Sequence, residues 1–297
     1  MSGVRDAAVA GRFYEGTRES LTASLEECFL HSLGPGSLPN PVADGPGLID
    51  AFVSPHAGYM FSGPAAAHGF AALAADGIPD VAIIIGPSHY TAARGGAVSL
   101  ADAWRTPLGA VPVAADLGRE LIDATPLLEA DENAHRLEHS LEVQVPFLQF
   151  IYPDQVPHIC PICIRSHPMG DMRQLTDDAR SLGETIAGVV GSRRAVIIAS
   201  TDFSHQVAHA VAERQDRLAL DATLALDPER LLRTVSEQNI SMCGPVPVAV
   251  AISSCLARGP HEAKLLCYYT SGDIIGDRAA VVGYASLVLS RTGGDRE

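Results

Sequence analysis

The sequence at residues 81–89 is VAIIIGPSH, an unbroken apolar run rich in β-branched residues that ends in a turn and a histidine. An alternating strand keeps one face in water, whereas a continuous apolar run is typical of a strand that is covered on both faces. The run AVII at residues 195–198 has the same character. Both runs predict a largely parallel sheet enclosed between helices.

Outward from this stretch, strand-like and helix-like segments alternate along the chain. The predicted strands are 48–54, 81–86, 158–164, 195–200, 264–269 and 280–289. The predicted helices are 18–32, 64–75, 115–124, 141–150, 172–190, 208–226 and 246–257. This alternation implies right-handed βαβ crossovers. We therefore expect an α/β protein whose residues 1–297 form one domain, an αβα sandwich with a mostly parallel central sheet.

Composition narrows the classes of function. The 297 residues include 21 basic and 35 acidic side chains, a net charge of −14, which argues against binding to nucleic acid or to an anionic membrane. No apolar run reaches the ~18 residues that a membrane span needs, and the first residues lack the pattern of a signal peptide. We expect a soluble cytoplasmic protein with reduced cysteines.

The CxxC pair at residues 160–163 lies within a predicted strand, so we interpret it as structural rather than as a redox or zinc motif.

Histidines follow three of the predicted strands. His56 follows the first strand, His89 the second and His205 the fourth. Ligands of open α/β sheets bind at the carboxyl ends of the strands, so these side chains are expected on one edge of the sheet. A surface or core role would explain any one of them, but three together favour a metal site, since neutral imidazole is the commonest metal ligand.

Two more candidates lie just before predicted helices. His139 precedes the helix that begins at Leu141, and Ser140 is expected to cap it. The positive end of the helix dipole would favour a neutral His139. Cys243 precedes the helix at 246–257, whose dipole is expected to lower the pKa of the thiol and make it available as ligand or nucleophile.

Several blocks of this sequence together resemble the MEMO family, whose prokaryotic members are called AmmeMemoRadiSam system protein B. The blocks are AGRFY at 10–14, SPHAGY at 54–59, GPSH at 86–89, EHSLEVQ at 138–144, STDFSH at 200–205 and CG at 243–244. They occur in the family's order over nearly the whole chain. The family resembles the class III extradiol dioxygenases (LigB-like), which hold non-haem iron with two His and one Glu and use another His as acid/base. The resemblance therefore implies a dioxygenase-like fold and pocket.

Carried onto this chain, the resemblance implies a metal site formed by His56, His89 and Cys243, with iron or copper as the metal and zinc as an alternative. Cys243 would stand where the dioxygenases have their glutamate. A soft thiolate in place of a carboxylate shifts the preference toward copper(I), zinc or thiolate-ligated iron, which weakens the inference of ring cleavage. The segment 244–247, GPVP, is less rich in Gly and Arg than the family pattern, which puts a substrate contact in doubt.

Three functions are compatible with these residues. In a metal-dependent redox enzyme, His205 oriented by Asp202 would act as general acid/base, and His139 would line the pocket and assist. A zinc hydrolase could use the same ligands with one open position. A non-catalytic adaptor for phosphotyrosine peptides is the third, although the sequence shows no Arg cluster for phosphate. The name of the prokaryotic family members also implies a radical S-adenosylmethionine protein as a pathway partner. This chain has no CxxxCxxC motif, so any iron–sulfur chemistry would belong to that partner.

Overall fold

The computed structural model describes residues 3–90, 95–165 and 171–292 of the chain. Its strands in chain order are β1 (Val4–Arg5), β2 (Ile49–Ser54), β3 (Val81–Pro87), β4 (Gly96–Val98), β5 (Ala103–Thr106), β6 (Gly109–Pro112), β7 (Leu128–Ala130), β8 (His158–Ile164), β9 (Ala195–Ser200), β10 (His205–Val207), β11 (His261–Thr270) and β12 (Val281–Arg291). Strands β1, β5 and β6 form a small separate sheet, and the other nine form the main sheet.

The centre of the main sheet is parallel. Strands β2, β9, β3 and β8 lie side by side in that order and all pair in parallel. The margins are mixed: β12 is antiparallel to β2 and to β10 and β11, and β4 is antiparallel to β8 but parallel to β7. The prediction of a mostly parallel central sheet is confirmed.

Helices cover both faces of this sheet. They are α1 (Arg18–Leu30), α2 (Tyr59–Asp76), α3 (Ala115–Ala124), α4 (Glu132–His135), a 3-10 helix (Glu142–Gln144), α5 (Val145–Ile151), α6 (Met172–Val190), α7 (His209–Leu224), α8 (Pro228–Glu237), α9 (Pro245–Ala257) and α10 (Ser271–Ile275). Buried side chains of α1, α2 and α5 form one core, and those of α3 and α6 to α9 form the other. The αβα sandwich is therefore confirmed.

Alternate side chains of β3 enter different cores, which explains its continuous apolar sequence. Ile83 and Ile85 pack into the core beneath α6 and α9, whereas Ile84 packs into the core beneath α2. Cys160 and Cys163 of β8 follow the same rule, since an odd spacing along a strand reverses the face. These two buried thiols lie on opposite faces of the sheet, which supports a structural role for each of them.

Helix α2 begins earlier than predicted. It starts at Tyr59 and contains Pro64 in its interior, whereas the expected helix began at Pro64. Proline is favoured at the first helical position, and that preference suggested the later start. Among the described residues, no helix combines the length and the apolar character needed to cross a bilayer.

Candidate metal centre

Three histidines surround one point at the carboxyl end of the parallel strands. His56 follows β2, His89 follows β3, and His139 lies in the loop between α4 and the 3-10 helix. One ring nitrogen from each lies within 4.8 Å of those of the other two, so the group could hold a metal ion. The ring centroids are 5.3 Å apart for His56 and His89, 5.5 Å for His56 and His139, and 4.5 Å for His89 and His139. His139, expected to line the pocket and assist rather than to bind the metal, therefore faces the same point as His56 and His89.

A buried carboxylate orients His89. Glu138 accepts a hydrogen bond from His89 Nδ1 on Oε1 (2.9 Å) and one from the His89 backbone N–H on Oε2 (2.6 Å). The backbone N–H groups of His139 and Ser140 also donate to Oε1, both at 2.9 Å. Burial raises the pKa of this carboxyl, but the hydrogen bonds and charge of His89 outweigh it and lower the pKa to about 2. Because the ionised carboxylate holds the proton on Nδ1, Nε2 of His89 carries the lone pair that can bind a metal.

A hydrogen-bond network orients His56. The hydroxyl of Ser200 donates to the carbonyl of Ser140 (2.6 Å) and accepts from Gln144 Nε2 (3.0 Å). Having used its only proton, Ser200 Oγ must act as acceptor toward His56 Nδ1, at 2.9 Å. The proton of the neutral His56 ring is thus on Nδ1, and its Nε2 carries the lone pair, which faces Cys243 Sγ.

The surroundings keep the rings of His56 and His139 neutral. Burial, and next the charge of His89, hold the pKa of His56 well below its ordinary value. Burial, followed by the charges of His56 and His89, lowers the pKa of His139 to about 3. Metals bind the neutral form of imidazole, so the group is prepared for binding at physiological pH.

One buried ring nitrogen of His139 is left without a hydrogen bond in the described part of the chain. Its Nδ1 is buried and has no hydrogen-bond partner among the described residues; Glu138 Oε1, 3.3 Å away, is not aligned with it. A buried polar atom without a partner is unfavourable, and native structures rarely leave one. Three imidazole ligands suit iron, copper or zinc, so the donor set fits such an ion.

Cys243 contacts the group through His56. Its Sγ lies 3.2 Å from His56 Nε2 and 3.1 Å from the backbone nitrogen of Asp202, which donates to it. The expectation that the α9 dipole lowers the thiol pKa is wrong. Burial first, and the charge of Asp202 second, raise the pKa of Cys243, so the thiol is protonated unless a metal displaces its proton.

The structure separates the roles expected for Asp202 and His205. Asp202 follows β9 and accepts the His56 backbone N–H on Oδ1 (2.8 Å), and its Oδ2 is 4.0 Å from His56 Nε2. His205 Nδ1 instead hydrogen-bonds to the carbonyl of Ser241 (2.7 Å) at the partly exposed start of β10. The Ser241 carbonyl, rather than Asp202, therefore orients His205.

The predicted cap by Ser140 is also wrong. Ser140 Oγ donates to the Pro87 carbonyl (2.8 Å), and the 3-10 helix begins only at Glu142. This tertiary bond, which fastens the His139 loop to the end of β3, competes successfully with capping. Glu138 is the functional residue that sequence reasoning missed, although a carboxylate directly before a candidate histidine was a visible signal.

The group opens to solvent on the side of His89. The side chain of His89 is 29% exposed, whereas that of His56 is 2% exposed. Phe13 packs on His139, with ring centroids 4.5 Å apart, and lines a cavity of about 290 Å³ together with Met60 and Phe61. His89 is therefore the most exposed of the three histidines, and the buried His56 and Cys243 form the closed end of the group.

Comparison with known proteins gives full-length matches. A family model described as Memo-like protein matches residues 5–288. A MEMO1 family protein of Methanopyrus kandleri is 42% identical over 289 residues, which are 97% of this chain and 99% of that protein. A MEMO1 family protein of Methanothermobacter thermautotrophicus is 40% identical over 286 residues, 96% of this chain and 99% of that protein.

A solved structure shares the fold at low sequence identity. An uncharacterized protein, JW3007, from Escherichia coli K12 superposes with a TM-score of 0.55 at 13% identity, over 80% of this chain and 99% of that one. At this identity the likeness concerns the fold alone.

Proposed function

Because this chain belongs to the Memo-like protein family, we propose that it is a metal-dependent redox enzyme that acts on a small molecule, with iron or copper at the three-histidine centre. The observation that carries the proposal is the convergence of three imidazoles, two of them with defined tautomers, on one point. A structural histidine cluster would need no such preparation, because it could satisfy its nitrogens with each other or with water.

The ion would be held by Nε2 of His56, Nε2 of His89 and the ring of His139, with the Cys243 thiol as a further donor beside His56. Iron or copper would supply electron transfer to or from the bound substrate. The mixed nitrogen and sulfur set suits a metal of intermediate or soft character better than a hard ion such as magnesium.

The remaining residues have supporting roles. Glu138 and Ser200 keep the lone pairs of His89 and His56 directed at the ion. Burial of His56 and Cys243 excludes water from the closed end. The Asp202 carboxyl, 4.0 Å from His56 Nε2, would hold a proton beside the centre, and His205 would exchange protons with solvent at the rim.

The test is the metal content of protein purified without oxygen. We expect about one equivalent of iron or copper in the wild type, with an absorption or electron paramagnetic resonance signal of that metal. His56→Ala and His89→Ala should lose the metal and keep the fold. His158→Ala, at an exposed histidine at the start of β8, is the matched control and should retain it. Wild-type metal content in both His56→Ala and His89→Ala would overturn the proposal.

A zinc hydrolase is the second candidate, and the third imidazole favours it. Three histidines with an open position form a known catalytic zinc site. The same elemental analysis separates the two functions. Full zinc occupancy, without iron or copper, would favour hydrolysis over redox chemistry.

A further inference from the structure

A second cavity lies at the opposite end of the main sheet. It has a volume of about 390 Å³ and is bordered by the amino ends of β2 and β9. Its charged lining residues are Asp50, Asp76, Arg193, Arg194, Arg258 and Arg291. Asp50 and His56 are six residues apart along the extended segment that contains β2, so about 20 Å separates this arginine cleft from the metal centre.

The arginine cleft holds more guanidinium groups than its own carboxylates engage. Asp50 is buried, and its Oδ2 lies 3.2 Å from Arg291 Nε and 3.5 Å from Arg258 Nε. The same oxygen accepts a hydrogen bond from His261 Nε2 at 2.9 Å. Asp76 accepts the backbone N–H groups of residues 48 and 49. One carboxylate oxygen thus serves two arginines and a histidine. Arg291 Nη2 donates to the carbonyl of Gly47 (2.7 Å), whereas the terminal nitrogens of Arg258 make no hydrogen bond within the described ranges.

The guanidinium of Arg194 is available to a ligand because it has no acidic partner in the described part of the chain. Its guanidinium makes no ion pair within the part of the chain that the structure describes, unlike Arg193, which pairs with both carboxylate oxygens of Glu120 at 2.9 Å. Arg194 Nη2 lies 2.5 Å from the position that a Cβ at residue 77 would occupy. Gly77, with φ at +119°, therefore leaves the space in which this guanidinium sits at the edge of the cleft.

These features define the chemistry of a ligand. The chain has a net charge of −14, so a cleft with four arginines is a local exception that would attract an anion. The planar guanidinium donates paired N–H groups that match phosphate oxygens. Several guanidinium groups around one cavity offer more N–H donors than a single carboxylate can accept. The cavity volume is within the range of small-molecule sites.

We propose that the arginine cleft binds a small phosphate-bearing molecule through Arg194, Arg258 and Arg291. The site is independent of the metal centre and does not rest on the proposed redox function. Arg258 and Arg291, braced by Asp50, would contact one side of the phosphate, and Arg194, seated over Gly77, would contact the other.

Calorimetric titration of the full-length protein with inorganic pyrophosphate at low salt tests the proposal. We expect saturable binding that weakens at least tenfold in Arg194→Gln and in Arg258→Gln. Arg233→Gln, at an exposed arginine 4.0 Å from Glu229 on α8, is the matched control and should bind as the wild type does. His89→Ala should also bind pyrophosphate normally, which separates this site from phosphate bound to a metal.

Arg258→Gln removes a partner of buried Asp50 and can impair folding, whereas Arg194→Gln removes no ion pair. The Arg194 variant therefore keeps the test decisive. Absence of saturable binding to the wild type, or equal affinity in Arg194→Gln, would overturn the proposal. Tighter binding of malonate than of pyrophosphate would overturn the assignment of phosphate as the ligand group.

Discussion

Replacing Glu138 by glutamine tests how the proposed metal centre is held together. Four N–H donors converge on this carboxylate, namely His89 Nδ1 and the backbone nitrogens of residues 89, 139 and 140. An amide has one acceptor oxygen, so its NH2 group must face at least one of these donors. If the amide oxygen takes the position of Oε1, the His89 backbone N–H faces the NH2 group and loses its acceptor. The hydrogen bond donated by His89 Nδ1 is then made to a neutral oxygen instead of a charged one.

The magnitude follows from the pKa and from the ligand geometry. The pKa of Glu138 is about 2 against an ordinary 4.5, and one pKa unit corresponds to about 1.4 kcal/mol, so the ionised carboxylate stabilises the metal-free fold by about 3 kcal/mol. Because the folded pKa is depressed, this stability is present above pH 4.5 and is lost as the pH falls toward 2. Loss of a partner that orients a metal-binding histidine lowers metal affinity about 10- to 100-fold.

The assay is a metal titration against a competing chelator, combined with urea unfolding of the metal-free protein at pH 7 and pH 3. Glu138→Gln should bind metal at least tenfold more weakly and lose part of the wild type's sensitivity to acid. Glu237→Gln, at the exposed end of α8, is the control and should change neither property. If Glu138→Gln kept wild-type metal affinity and the same acid sensitivity, the proposed orientation of His89 by Glu138 would be refuted.

Three further results are expected. Cys243→Ser should weaken metal binding less than His89→Ala in a chelator competition, because Cys243 contacts the group through His56 and a hydroxyl is a poor but usable donor. Glu142→Gln should lower the free energy of unfolding by about 3 kcal/mol in urea, since it breaks a buried ion pair with Arg5 (2.7 Å). The metal-free protein should lose stability as the pH falls below 6.5, by about 2 kcal/mol at pH 5 from His139 alone, because its folded pKa is about 3. Urea unfolding of His139→Ala should show a shallower pH dependence, and an unchanged slope would contradict this.

The predicted elements were most accurate where local pattern and burial agree. Strands β8 and β9 and helices α3 and α6 have the bounds expected from their apolar runs. Helix α8 was missed, although Asp227 caps it and Pro228 occupies its first turn. The short strands β4, β7 and β10 carry no periodic signal, because their pairing depends on partners far away in sequence.

The candidate site was predictable only in part for the same reason. The positions of His56 and His89 after strands indicated a shared edge, but the sequence does not contain the order β2-β9-β3 that brings them within ligand distance. His139 reaches the group because Ser140 is fastened to Pro87 and Glu138 to His89, and these contacts are tertiary. Only Arg193 and Arg194 of the cleft arginines are adjacent in sequence, and Arg258 and Arg291 lie far from them, so no larger basic cluster was visible in the sequence.

The arginines of the cleft could instead have a structural role, because of where the cleft lies in the fold. Helices that follow parallel strands end at this edge of the sheet, and arginines are favoured near helix C-termini because they bind exposed carbonyls. Arg193 has that role, since it donates to the carbonyl of Val189 in the last turn of α6. At the end of α2, however, the Tyr152 hydroxyl already lies 3.0 Å from the carbonyl of Leu73 and 2.6 Å from that of Gly77.

Arg194 is therefore not needed to complete α2, and the two roles predict opposite results. A capping arginine would stabilise the ligand-free protein by about 1 kcal/mol, so that Arg194→Gln would lower its melting temperature by about 2 °C. A ligand-binding arginine would leave that temperature unchanged. It would instead remove the upward shift that pyrophosphate produces by binding the folded state alone. Thermal unfolding of the wild type and of Arg194→Gln, with and without pyrophosphate, decides between them, and a lower melting temperature with an intact pyrophosphate shift would assign Arg194 to the fold alone.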